Sequence, residues 1–559
     1  MPSGKNTALT DATAAPGPQE LEKTVVGTSS EVAVEDPEYP SGLKLVLLTI
    51  SLCLSVFLMA LVGDSRSLMD TTSLRVIATA IPHITDQFHS LDDVGWYGSA
   101  YLLTHAATQL LFGKFYTFLP VKWVFVTAIT LFEAGSLLCG AAPNSNAFIV
   151  GRALAGVGSS GIFSGAMIII SRSVPLAKRP MYTGIIGGMY GISSVAGPLM
   201  GGVFTDKVSW RWCFYINLPI GAVTLAVVIF IFKMPRHSID SKSTANSFAS
   251  HLALFDPHGT LVFIPAIVSL LLALQWGGSK YPWNSWRIIL LFVFFGILIS
   301  IFVAVQLWKG DGATIPPRII KKRSIWSGVF FAICSGGAFM IFSFWLPIWF
   351  QAIHGVSAIH SGIDNLPMIL SLIVTSVFAG ALITWIGYYT PLMILSSNLS
   401  AIGAGLLCTL NTTSGHTRWF PYEVICGVGI GLGMQQPLLA AQAVLDLSDV
   451  PVGTSLIMFA QTLGGAIFVS IGQNVFTNKL VQGLVKNVPG INPMLVLGVG
   501  ATDLRDAIDP QFFHQVLEVY NQALVAAFYV AVAMACLSLF GALTMEWTNI
   551  KGKKMEIVV

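Results

Sequence analysis

Charged and hydrogen-bonding side chains are scarce in the long apolar stretches of this chain, so the few that occur there are its candidate chemistry. Arg152 lies in Gly151-Arg152-Ala-Leu-Ala-Gly156-Val-Gly158. A guanidinium in such surroundings must face a partner or a wet cavity; the bland alternative is an arginine pinned by backbone carbonyls. Glu133 is the only carboxylate deep inside an apolar stretch of the first half. A carboxyl group away from water can bind and release a proton, or it can hold two helices together through fixed hydrogen bonds. Gln435, Gln436, Gln461 and Trp345 set hydrogen-bonding and aromatic groups among apolar neighbours. That mixture suits a wide pocket for an amphipathic organic molecule, although each glutamine could equally bridge two helices.

Other chemistries lack their residues. The ten histidines form no HxxxH or HxxH pair, no GxxxxGK[ST] phosphate loop occurs, and no GxGxxG precedes an acidic residue in a soluble βαβ unit. Membrane di-iron or zinc catalysis, ATP as driving force and dinucleotide chemistry are therefore not expected, and no enzyme or metal site is. The seven cysteines stand singly, without CxxC spacing, and read as small core hydrophobes. A net charge of +3 is too mild for a nucleic-acid partner.

What must position these groups is a membrane bundle. The 559 residues are 54% hydrophobic and only 10% charged, against about 25% charged in a soluble domain. Mean hydropathy is +0.73, so most of the surface faces lipid. Fourteen stretches can cross the hydrocarbon core as helices of about 20 residues. They begin near Leu43, Tyr97, Lys122, Ala147, Met181, Phe214, Gly259, Arg287, Ile325, Leu366, Pro391, Phe420, Gly453 and Gln522. Residues 1–41, rich in Ala, Pro, Gly, Ser, Thr and Glu, read as a disordered cytosolic tail rather than a signal peptide.

An even number of spans puts both termini on one side. With that side cytosolic, nineteen Lys and Arg fall in inner loops and eight in outer ones, as the positive-inside rule requires. Arg66, Arg75 and Arg152 stand outside this division. The sequon Asn411-Thr412-Thr413 is then external, where glycosylation can occur; a second, at Asn398, falls within a span. A faint repeat relates Gly113-Lys-Phe-Tyr-Thr117 after the second span to Gly380-Ala-Leu-Ile-Thr384 after the tenth. Two similar halves with a substrate site between them are common among secondary transporters.

The densest pattern is Gly184 to Gly202, GIIGGMYGISSVAGPLMGG. Glycines three or four apart let a neighbouring backbone approach closely, and the proline permits a bend. Here the sequence resembles the major facilitator superfamily, and within it the fourteen-span drug:proton antiporters. Gly184, Gly197, Pro198, Gly201 and Gly202 match that family's antiporter motif G-x8-G-x3-GP-x2-GG, with Ser193 at the middle glycine. Trp210 to Gly221 and Leu346 to Gln351 are similar to further signatures, and the resemblance runs from about Leu43 to Trp547, closest in look to fungal pumps that export toxins.

The resemblance implies an all-α polytopic major facilitator fold. Two six-helix bundles, 42–233 and 325–547, would be joined by a 234–324 linker carrying two extra spans, with a cytosolic tail at 548–559. It implies efflux of an amphipathic small molecule, driven by the proton gradient with no cofactor and no ATP, from the plasma membrane or, alternatively, at the vacuole. Amino-acid or siderophore movement occurs in related branches. A receptor or scaffold would need larger soluble domains than loops of about 45 residues provide. Arg152 fits the R-x-x-x-G motif, which implies a part in proton coupling.

Two departures stand out. At the inner turn after the second span Gly113 and Lys122 fit the superfamily pattern, but Thr117 replaces its Asp and Pro120 its second Gly. Charge-relay gating is therefore not expected there. The first span runs on through Val62 to Arg75, VGDSRSLMDTTSLR, before Ala78-Thr-Ala-Ile-Pro82. A helix from 43 to 82 would be roughly 60 Å long, about twice the hydrocarbon thickness. An insertion, with a misplaced exon boundary as one origin, would interrupt the family's acidic site, for which Asp70-Thr71-Thr72 is the candidate.

Overall fold

The computed structural model describes residues 40–63, 84–85, 87–88, 90, 93–232, 255–278, 280–498 and 504–551. The expected tail, the Val62–Arg75 departure beyond 63, Asp70 itself and Ala78–Pro82 lie outside the described residues. A chain in lipid must satisfy its backbone internally. The regular structure accordingly is helical, apart from an isolated bridge between Gly277 and Tyr281.

The first half contains Leu43–Gly63 (α1), Val94–Phe118 (α2), Val121–Ala141 (α3), Ser145–Ser173 (α4), Arg179–Lys207 (α5) and Asn217–Ile231 (α6). A hairpin follows, Pro257–Trp276 (α7) and Trp286–Lys309 (α8). The second half contains Arg323–Trp349 (α9), Leu366–Ile386 (α10), Thr390–Leu407 (α11), His416–Gly433 (α12), Gln436–Val444 (α13), Val450–Asn487 (α14) and Pro510–Thr544 (α15). Met434 and Gln435 interrupt α12 and α13, which together form one spanning unit.

Among the described residues twelve spans are both long and apolar enough to cross a membrane. α2 and α5 have 25 and 29 residues, at least 37 Å by the usual rise of about 1.5 Å per residue, and so qualify by length. Their composition is more polar because they carry His105, Gln109 and Lys114, or a run of glycines. The peripheral α8 shows the opposite extreme. Leu290, Val293, Phe294, Ile297, Ile301 and Val303 are exposed along it, which only a lipid solvent tolerates.

The packing repeats. In the first half α1 packs on α5 and α6, α2 on α4, and α3 on α4 and α6; in the second α9 packs on α14 and α15, α10 on α12, and α11 on α12 and α15. The halves meet where α2 packs on α14 and α5 on α10. The faint Gly–Thr repeat marks these two seams. Thr117 donates to the Gly113 carbonyl and Thr384 to that of Gly380, each at 2.9 Å. A Cβ at Gly113 would press on Ser455 of α14, and one at Gly380 on the Pro180 carbonyl of α5. Each half thus offers a glycine to the other at these seams.

Candidate functional site

Between the halves lies a cavity of about 80 Å³. Four methionines soften its wall: Met59 from α1, Met340 from α9, Met434 from the α12–α13 break and Met458 from α14. Unbranched thioethers fill irregular gaps and adapt to varied ligands. Aromatic faces come from Tyr101, Phe163, Tyr190 and Phe339, and hydrogen-bonding groups from His105, Gln109, Gln435, Gln461 and Thr462. His105 Nδ1 is 2.8 Å from the Ser159 hydroxyl, and the Gln109 amide approaches Met458 Sδ at 3.8 Å.

Of the four cavity candidates, Gln435 and Gln461 line this space. Gln436 donates to the Leu432 carbonyl at 2.9 Å. Trp345 is buried against Phe344 and Phe476 in the second half. Neither belongs to the cavity wall. Sequence reasoning passed over the α2 contribution of Tyr101, His105 and Gln109. Their four-residue spacing on one helical face was the available signal.

Arg152 is fully buried on α4. Its Nε donates to the Tyr97 carbonyl at 2.7 Å, Nη1 donates to that of Val62 at 3.1 Å, and the guanidinium lies 4.6 Å over the Tyr101 ring. It therefore ties α4 to α2 and to the end of α1, directly behind a wall residue of the cavity. Gly156 permits the approach, since a Cβ there would collide with the Tyr101 carbonyl.

Glu133 is buried on α3, and neither carboxylate oxygen has a hydrogen-bond partner among the described residues. It faces α6, where a Cβ at Gly221 would collide with it, and it is not part of the cavity wall. Sequence reasoning missed a second buried acid, Glu423 on α12. Glu423 lies beside the Met368 backbone of α10. Its signal was the same as that of Glu133, one acid in the apolar run after Trp419. Near the outer end of α10, burial pushes the Asp364 carboxyl up, against the opposing pull of His354, His360 and His416.

Along α5, Gly184 meets the Ser376 backbone of α10 and Gly187 meets the side chain of Gln435. The helix runs unbroken through Gly197, Pro198, Gly201 and Gly202, with Gly197 and Gly201 buried. Asn411 is exposed in the connection between α11 and α12, its Oδ1 accepting from Thr413 and Ser414. No three His, Cys, Asp or Glu among the described residues converge as metal ligands.

Charged groups gather instead on the hairpin beside the α2–α3 turn. Buried Asp256, at the start of α7, accepts from Lys309 at 2.8 Å and from Gln306, the Gly259 backbone and both the backbone and hydroxyl of Thr314. Arg318 bridges Asp311 at 3.0 Å to Asp449, at the start of α14, at 2.9 Å. Phe115 and Phe118 of α2 pack on Phe255. Lys114, buried one turn before Phe118, feels both Asp256 and Asp449.

A family model described as Major Facilitator Superfamily matches residues 52–469. The MFS-type efflux pump MFS1 of Arthroderma benhamiae is 58% identical over 522 residues, covering 93% of this chain and 95% of that protein. Efflux pump roqT of Penicillium rubens is 53% identical over 506 residues, covering 90% and 91%. Among solved structures, the proton:xylose symporter XylE bound to 6-bromo-6-deoxy-D-glucose superposes with a TM-score of 0.58 at 13% identity. That alignment covers 92% of this chain and 98% of the symporter, and shows a shared fold.

Proposed function

The chain belongs to the Major Facilitator Superfamily as a multi-pass membrane transporter, and from that premise we propose that it exports amphipathic small molecules, such as a secondary-metabolite toxin, in exchange for protons. The carrying observation is the cavity between the halves, walled by methionine and aromatic side chains and punctuated by amides. The relatives, an MFS-type efflux pump and efflux pump roqT, support the direction.

At about 80 Å³ the cavity is smaller than the roughly 300–1,000 Å³ that hold drug-sized ligands. The halves must therefore part to admit a substrate, and the glycine seams α2–α14 and α5–α10 are where they separate. Proton binding drives this cycle only by favouring one facing over the other. Glu133 is the proton site best supported by the described residues. An unpaired charge is costly at that depth, and taking up a proton relieves it. Arg152 tethers the end of α1 through the Val62 carbonyl.

Accumulation of a fluorescent substrate in cells, measured with and without a protonophore, tests this reading. Export stops when the gradient collapses; full export without a gradient eliminates antiport. We place the protein in the plasma membrane with Asn411 outside. A mass shift on glycosidase treatment, lost in Asn411→Gln, is the expected sign, and a protease-protected loop would reverse the topology.

A further inference from the structure

No Asp, Glu, Lys or Arg occurs among the residues lining the cavity. The buried charge packed on a wall residue is positive, the Arg152 guanidinium 4.6 Å over the Tyr101 ring. A cation entering here would shed water and meet no counter-charge, which is strongly unfavourable in a low-dielectric site. Aromatic faces and thioethers offer an uncharged ring system its contacts instead.

The hydrogen-bonding groups of the wall differ in how far they are already engaged. Tyr101 donates to the Met59 carbonyl, His105 meets Ser159 and Gln109 meets Met458. Gln435 is different: its side-chain oxygen is buried and has no hydrogen-bond partner among the described residues. A buried acceptor left unmade is costly, so it favours a ligand that brings a donor. Gly187 of α5 fixes where this amide stands, because a Cβ there would collide with its Nε2.

We infer that the cavity selects uncharged aromatic molecules carrying a hydroxyl or N–H donor, that Gln435 accepts that donor, and that Gly187 is the positioning residue for Gln435. This specificity rests on the efflux reading above and narrows its substrate class. A flat phenol meets both requirements; its methyl ether fails the second, and a permanently cationic dye fails the first.

The test uses the full chain in lipid nanodiscs with 7-hydroxy-4-methylcoumarin, its methyl ether and ethidium, at about pH 6 where a phenol is neutral. The phenol is expected to bind roughly tenfold more tightly than the ether, with ethidium not binding measurably. Gln435→Leu removes the tenfold preference, and Gly187→Ala weakens it with Gln435 intact; melting curves check that both variants fold. Ethidium binding on a par with the phenol, equal binding of phenol and ether by the wild type, or no binding of any probe overturns the inference. Retention of the preference in both folded variants overturns the roles of Gln435 and Gly187. The efflux reading fails separately, if the binding preference holds while protonophores leave export unchanged.

Discussion

Asp256 and Glu133 are both carboxylates shut away from water, yet their surroundings make them opposites. Asp256 accepts five hydrogen bonds, one of them from the Lys309 ammonium. Burial pushes its carboxyl up, but Lys309, Gln306, Gly259 and Thr314 outweigh it and hold the group well below the ordinary carboxylate range. It even sits with φ at +47°, a left-handed backbone that costs free energy unless its surroundings over-determine it. Glu133 has no such donors. One acid is a fastener because its charge is fully answered; the other is free to change its charge because nothing answers it.

The largest effect should come from breaking the fastener. Asp256→Asn leaves Lys309 without its counter-charge beside a rigid hairpin. Removing one partner of a buried pair costs about 3 kcal/mol, so thermal melting in detergent should fall by several degrees. The pH dependence sharpens this. Because the folded carboxyl is held low, its stabilisation is complete above the unfolded value near 3.9 and is lost as pH falls below that towards the folded value. The melting gap between wild type and Asp256→Asn should therefore be constant from about pH 7 to 5 and shrink below about pH 4. A gap that widens with acid would show that the network does not act through the carboxylate charge.

Arg318 offers a weaker version of the same latch. It is half exposed while bridging Asp311 and Asp449, and exposed pairs contribute about 0.2–1 kcal/mol. Arg318→Ala should lower melting only slightly, and the loss should vanish in high salt. A loss as large as that of Asp256→Asn would mean that the inner ends of the hairpin and α14 are held chiefly by this one side chain.

How much of this could be read from residues alone follows from what lipid enforces. The spans were legible because a bilayer demands long apolar helices, and α8, exposed along most of its apolar length, is the plainest example. α2 and α5 were expected as spans from their length, and they form helices of 25 and 29 residues, although their polar residues and glycines keep them out of the twelve most apolar spans. Cavity membership was half legible. Gln435 and Trp345 look equally suitable along the chain, but which face of a helix turns inward is decided by packing, and Trp345 turns towards Phe476 instead. The Asp256 network was not legible at all. Its partners Lys309 and Thr314 come into range only when α7 and α8 fold back on each other, and nothing local to Asp256 announces them. Arg152 was legible as a problem, and the contacts found for it are those of the bland alternative, backbone carbonyls for its N–H groups, with the Tyr101 ring beneath its face.

The smallest effect on stability should come from Glu133→Gln, and that is what makes it the decisive variant. A glutamic acid serving as a strut would be held by donors, and its amide would lose them. Since neither oxygen of Glu133 has a hydrogen-bond partner among the described residues, the isosteric amide removes no contact and should lower melting less than either preceding variant. It does remove the capacity to carry a proton. Export driven by an imposed pH gradient in proteoliposomes should therefore collapse in a protein that melts like the wild type. Glu423→Gln extends the logic to the second half, where a second buried acid lies on α12. If Glu133→Gln transports normally and Glu423→Gln does not, the proton path lies along α10 and α12 rather than α3 and α6. If both transport normally, neither buried acid is the proton site, and the segment containing Asp70 becomes the place to look.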